Sequence, residues 1–363
     1  MQISSSFFVY LHHKESIWNV MCYEVTIGIP VFRAIDFIGK TMESALVQTF
    51  ESIEYLIIDD YGNDGTIHVV EQYKTEHPRG KDIRILYNDG NYGVGSTRNR
   101  LLEEASGKYL FFLDSDDIIE PNTIQLLVEQ MRKYQADVVY ASMDRIDKVN
   151  NTEVKPMVLP DAHLFSEGEM ADYAFRNYNS FQISVCNCLM DLSFLRDKHL
   201  RFIETSFWED LAFTYEMVIQ VKRAVLLSNV TYHYICRPNT LSHYQEREQM
   251  DKEEILANVA TINYLKERTM SVNNNRYLPY LCKNLEMNSF YIICYIIKNY
   301  SRIKPKFSND EIRRIMCHPF GLLEICRFQD LIIVNLFLWF IGKLPVPFLI
   351  PLVRFLGYLK SVI

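Results

Sequence analysis

No block of lysine and arginine in these 363 residues is dense enough to be the electrostatic footprint of a nucleic-acid binder, and the formal charge is −7. DNA or RNA as the main partner is therefore not expected. Cysteine pairs at zinc spacing are also missing. The eight cysteines are scattered, and only Cys186-x-Cys188 comes close, a spacing that alternation along a strand explains. They read as reduced thiols packed as small apolar groups, which points to the cytoplasm. A secretory leader is not expected, because "FFVYL" near the amino terminus has no basic residues before it and no small-residue cleavage site after it. No internal repeat or low-complexity tract is evident. No apolar run reaches the roughly 20 residues that span a bilayer. The segment 331–363 lacks Asp and Glu altogether, its only charges being Lys343, Arg354 and Lys360.

What is present begins after Met21. Residues 1–21 read as a poorly ordered extension, with the natural start codon placed downstream of them in one reading. From there strands and helices alternate: a strand over 25–29, a helix over about 37–47, a strand over 55–58, a helix over 66–73, a strand over 83–87, a helix over 95–104, a strand over 109–113 and a helix over 122–134. Repeated βα units predict an α/β fold, a mainly parallel Rossmann-like sheet flanked by helices. After about Ser242 long helical patterns take over, including "MDKEEILANVATINYLKER" and "NLEMNSFYIICYIIKNY", which predict a carboxyl-terminal helical appendage.

Ligands of such sheets bind beyond the carboxyl ends of the strands. The stretch "FFLDSDD" ends an apolar strand in three carboxylates, Asp114, Asp116 and Asp117, and Asp59-Asp60 end the strand at 55–58. Crowded acids raise one another's pKa unless positive charge sits between them. Hard carboxylate oxygens suit Mg²⁺ or Mn²⁺. An EF-hand is excluded, since the glycine and the distal glutamate of its loop are absent.

The segments "VTIGIPVFRAIDFIGKTMESALVQTF", "EYLIIDDYGNDGT", "ILYNDGNYGVGSTRNRLLEEASGKYLFFLDSDD" and "SFWED" occur in the order and spacing of the family-2 glycosyltransferases, which this chain resembles over about residues 22–240. The resemblance implies a GT-A fold, a nucleotide-sugar donor, a divalent metal and inversion at the anomeric carbon. It sets the catalytic domain at 22–242, while the helical pattern and the composition beyond it predict a helical region over 243–330 and an apolar basic tail over 331–363.

The same resemblance assigns roles. Pro30, Val31 and Phe32 would line the base pocket, Phe32 standing where many relatives carry Tyr; the alternative for Phe32 is ordinary core. Asp60 would accept from a uracil-type N–H, with Asp59 holding the turn and Asp64 capping a helix. Arg98 would reach the nucleotide, or else pair with Asp60 as a structural cation. Asp114-Ser115-Asp116 would be the DXD motif, with Asp116 the direct metal ligand, Asp114 nearer the ribose or the metal's water shell, and Asp117 a helix cap. Asp210 would be the general base with Glu209 beside it, and Trp208 would stack on a sugar. The alternative for these carboxylates is a favourable charge at a helix amino terminus. Arg237 would fold over the diphosphate.

The leading expectation is thus an inverting transferase that moves sugar from a nucleotide-sugar, expected to be a UDP-sugar, to a glycan or lipid-linked glycan in surface-polysaccharide assembly. A nucleotidyltransferase of similar fold and a non-catalytic carbohydrate-binding protein are the alternatives. The tail 331–363 reads either as a peripheral contact with the cytoplasmic face of a membrane or as a pair of helices covering the domain.

Overall fold

The computed structural model describes residues 23–147, 152–177, 184–205, 207–236, 249–274 and 276–362. The expected extension over 1–21 and Arg237 lie outside the described residues. The first half alternates as the apolar runs require: β1 (Val25–Val31), α1 (Ile38–Leu46), β2 (Ile53–Asp59), α2 (Thr66–Glu76), β3 (Ile83–Tyr87), α3 (Val94–Glu104) and β4 (Tyr109–Phe112). β1, β2 and β4 are buried along their whole length. That is the signature of strands covered on both faces. Pairing is parallel in the order β3-β2-β1-β4.

Beyond β4 the sheet becomes mixed. β5 (Ile118–Ile119) is followed by α4 (Thr123–Tyr134), β6 (Val138–Asp147), β7 (Thr152–Met157), β8 (Ala162–Leu164), β9 (Cys188–Asp191), α5 (Glu209–Gln220) and β10 (Ala224–Cys236). β9 runs antiparallel between β4 and β6, β10 lies parallel to β6, and the short β5 is antiparallel to the end of β10. Because β10 extends to Cys236, its last residues run past the loop that follows β4. This brings Tyr232 and His233 beside the acids there.

The helical region is built on α6 (Lys252–Thr269) and α7 (Leu278–Lys298), with α8 (Ile332–Lys343) and α9 (Val346–Leu359) packed on α7. Most of its buried side chains join those of the sheet in one core, while Leu278, Cys282, Ile325 and Phe328 form a second, smaller cluster. Within it Lys266 is buried, its Nζ 2.7 Å from Glu286 and donating to Ser289 at 2.8 Å and to the Cys317 carbonyl at 3.0 Å. Removing one member of such a pair strands the other charge in the core. Lys266→Met should therefore cost roughly 3 to 5 kcal/mol in chemical denaturation, and Lys266→Met with Glu286→Leu should recover most of it. A single variant as stable as the parent would show that the pair is solvated.

Candidate active site

The register sets Val31 beside Asp59 and Gly28 beside Phe112, so the loops that leave β1, β2 and β4 open at one edge of the sheet. Asp60 is buried there. Its Oδ1 accepts from Asn88 Nδ2 at 2.7 Å and from the Tyr92 N–H at 3.0 Å, and its Oδ2 accepts from the Gly93 N–H at 2.8 Å. Asp60 thus ties down the glycine-rich loop before α3. A carboxylate has about four lone-pair sites, so one remains for a further donor. Gly93 sits at φ 84, a backbone that L side chains rarely adopt. Asp59 Oδ1 accepts from the Gly62 N–H at 3.1 Å and holds the turn as expected, while burial pushes its pKa up. Asp64 accepts from both the N–H and the hydroxyl of Thr66, at the start of α2.

Arg98 is the centre of the arrangement. It is buried on α3, donating from one terminal nitrogen to Asp114 Oδ1 at 2.8 Å and from the other to Glu209 Oε1 at 2.7 Å. Its guanidinium lies 5.7 Å from the Phe202 ring centroid. Burial works against its charge, but Asp114, Glu209 and Asp210 around it hold the guanidinium protonated. The pairing with Asp60 weighed from the sequence is not formed; Arg98 bridges two other acids. α3 comes close enough because of Gly95, where a Cβ would meet the Ile203 carbonyl at 3.1 Å and Glu209 Cβ at 3.4 Å.

Glu209 and Asp210 open α5. Glu209 is committed to Arg98. Asp210 Oδ1 accepts from the Leu211 N–H at 2.7 Å, and Asp210 keeps partial contact with solvent. Desolvation and the charge of Glu209 push its pKa up to about 7, against the pull of Arg98. That is a value suited to a general base at neutral pH. Trp208, half-buried, sits at the helix entrance with φ 62, an uncommon conformation for a bulky residue and one that recurs at functional sites.

Asp117 is not the helix cap expected of it. Its side chain is buried, accepting from the Tyr232 hydroxyl at 2.7 Å and from the Ile235 N–H at 2.8 Å, while α4 begins at Asn122 without a side-chain cap. Tyr232 Oη also accepts, at 3.4 Å, from the Asp114 N–H. One hydroxyl therefore fastens both ends of the Asp114–Asp117 turn to β10. Next to it His233 lies between Asp144, at 2.7 Å, and Glu120, at 2.8 Å. Burial lowers its pKa but the two carboxylates outweigh this and raise it. Tyr232→Phe should leave the buried Asp117 one donor short, lowering stability by about 1 to 3 kcal/mol in chemical denaturation. Unchanged stability would mean that the turn holds its shape without the hydroxyl.

Asp114 and Asp116 are half-exposed at this turn. Among the described residues no cluster of three or more His, Cys, Asp or Glu side chains could hold a metal ion. Two hard oxygen donors nevertheless fit Mg²⁺ or Mn²⁺, which keep several waters and take further oxygens from substrate phosphates. The remaining Asp114 oxygen accepts, at 3.4 Å, from the Cys186 thiol, whose pKa burial pushes well up, so that it remains a thiol.

Of the residues that the sequence resemblance assigns to a base pocket, Pro30 and Val31 are buried within β1, whereas Phe32 is 41% exposed with Arg33 5.1 Å from its ring centroid. The reading of Phe32 as core does not hold. Asn88, Tyr232 and His233 carry no functional signal of their own in the sequence, and Cys186 stands out there only as half of a Cys-x-Cys spacing. Tyr232 and His233 come from a strand over a hundred residues beyond Asp117.

The sequence model of glycosyl transferase family 2 matches residues 26–201. A chondroitin synthase of Escherichia coli is 34% identical over 128 residues, 35% of this chain and 18% of its own length. The UDP-Glc:alpha-D-GlcNAc-diphosphoundecaprenol beta-1,3-glucosyltransferase WfgD, also of Escherichia coli, is 32% identical over 138 residues, 38% of this chain and 52% of its own length. The chain thus spans between a fifth and about half the length of these relatives. Among solved structures, TarS 1–349 of S. aureus superimposes with TM-score 0.64 at 16% identity, covering 93% of this chain and 92% of that one. At that identity the likeness is one of fold, and it extends through the helical region.

Proposed function

Membership of glycosyl transferase family 2, carried by residues 26–201, is the premise from which we propose an inverting, metal-assisted transfer of sugar from a UDP-sugar to a glycan or lipid-linked glycan in bacterial surface-polysaccharide assembly. The observation that carries this reading is Arg98, which joins Asp114 of the DXD turn to Glu209 beside Asp210. Donor end and base end form one fixed charge cluster. The UDP-Glc and diphosphoundecaprenol in the printed name of WfgD support the donor and acceptor classes, and the UDP-GlcNAc complex of TarS adds to the donor.

In this reading Phe32 lies against the base and the free lone pair of Asp60 accepts its N–H. Asp114 and Asp116 would hold Mn²⁺ or Mg²⁺, which when bound neutralises charge on the departing diphosphate. Trp208 stacks on a sugar. Asp210 takes the proton of the acceptor hydroxyl as that oxygen bonds to the anomeric carbon and the carbon–diphosphate bond breaks on the opposite face, releasing UDP. Glu209 and Arg98 position Asp210 and keep its charge in check. Arg237 belongs to the proposal through the resemblance alone.

Incubation with UDP-, GDP- and dTDP-sugars tests it through the nucleotide set free. UDP from a UDP-sugar is the expected product, with transfer outpacing hydrolysis when an acceptor is supplied. Release of pyrophosphate, or of no nucleotide from any donor, would overturn the reading.

A further inference from the structure

α8 and α9 are apolar on two sides. Towards α7 and its neighbours they bury Leu338 and Ile341 from one helix and Val346, Leu349 and Val353 from the other. Away from it they expose Ile333, Phe337 and Phe340, spaced four and three apart, and Phe348, Phe355 and Tyr358, spaced seven and three. These spacings each put side chains on one helix face. Ile333 is 83% exposed, Phe348 67% and Tyr358 73%. Ten of the 22 large apolar side chains exposed among the described residues lie between Leu322 and Leu359. Scattered exposed apolar residues need no explanation, but such a concentration marks an interaction surface.

Charge selects the partner. Lys343 and Arg354 are exposed on these two helices and Lys360 just past the end of α9, and no acid occurs in 331–363 although the chain as a whole is acidic. A second copy of this chain packed by two-fold symmetry through these two helices would bring together two surfaces of the same positive sign, with no acid within 331–363 to meet the cations. An anionic lipid surface meets all three and takes the rings between its headgroups. No helix among the described residues is long and apolar enough to cross a membrane, so the contact is one of lying on the surface. We propose that the outward faces of α8 and α9 dock the protein on an anionic bilayer through Phe337, Phe348, Phe355 and Tyr358, with Lys343, Arg354 and Lys360 held at the headgroups.

This inference rests on the surface and not on the catalytic reading, and the two fail separately. Co-sedimentation of the full chain with vesicles of phosphatidylglycerol and phosphatidylcholine should show binding that phosphatidylcholine alone does not support and that salt weakens. Replacing Lys343, Arg354 and Lys360 by Gln should lower the affinity roughly a hundredfold, from about 1 kcal/mol per basic side chain. Phe348→Ser with Phe355→Ser should lower it by at least about tenfold through lost apolar burial. These positions are exposed, and unchanged thermal melting shows that each variant folds. Equal binding to both kinds of vesicle, no binding, or binding that both variants retain would overturn the proposal. So would a concentration-dependent dimer in sedimentation velocity that the Phe variant dissolves, because a second copy would then be the cover.

Discussion

Asp210→Asn should bind UDP as the parent does and transfer sugar about a thousandfold more slowly, the middle of the range for losing a positioned general base. The amide keeps the size of the side chain and an oxygen for the Leu211 N–H, so α5 need not shift. What it cannot do is take a proton. The parent's rate should show a pH dependence set by the raised pKa of Asp210. Below about 7 the carboxyl protonates and the rate should fall with pH; above it the rate should level off. In the variant that acid limb should be gone. Glu209 supplies part of the upward push on Asp210, so Glu209→Gln should move the limb to lower pH, and it also loosens Arg98 and should reduce the maximal rate. Calorimetry with UDP and a pH series of initial rates are the two measurements. UDP binding lost in a folded Asp210→Asn would move Asp210 to the donor site, and a limb that persists would assign the base elsewhere.

The parallel half of the sheet could be read because β1, β2 and β4 are buried on both faces, which leaves unbroken apolar runs in the sequence. Their carboxyl ends could be read because acids follow them directly. The second half could not. β5 is two residues long and β8 three, too short for a period to register, and β9 is held in place by antiparallel neighbours rather than by a pattern of its own. The same limit governs the site. The resemblance pointed to Asp114, Arg98, Glu209 and Asp210, which the structure brings together, but the choice of partner for Arg98 depends on how closely α3 approaches the start of α5, a matter of Gly95 and the Ile203 carbonyl rather than of motif order. Asp117 reads in the sequence as a cap for the next helix because Pro121 marks a chain turn nearby. Its partners on β10 lie 115 and 118 residues along the chain, where no local signal reaches. For the tail, the reading as a pair of helices covering the domain describes one side of what is found. The helices cover α7 with one side, and the other side is left apolar and exposed.

Asp116→Asn should reduce turnover by about a hundredfold or more while leaving the thermal midpoint near that of the parent. Asp116 is a cleaner probe of the divalent ion than Asp114. Any change at Asp114 also breaks its bond to the buried Arg98 and leaves that guanidinium partly unpaired, so a loss of activity there mixes two causes. Asp116 is half-exposed, and Asn retains its shape while removing one unit of charge. A hundredfold loss corresponds to about 3 kcal/mol of transition-state stabilisation, within the range attributed to a metal that offsets leaving-group charge. The readout independent of activity is Mn²⁺ binding in the presence of UDP. It should weaken in Asp116→Asn, and the Mn²⁺ concentration for half-maximal rate should rise accordingly. EDTA should abolish transfer by the parent, and added Mn²⁺ or Mg²⁺ should restore it. Full turnover in EDTA would remove the divalent ion from the reaction and leave Arg98 as the positive charge nearest the diphosphate. In that case Arg98→Met, rather than Asp116→Asn, should carry the larger loss in rate.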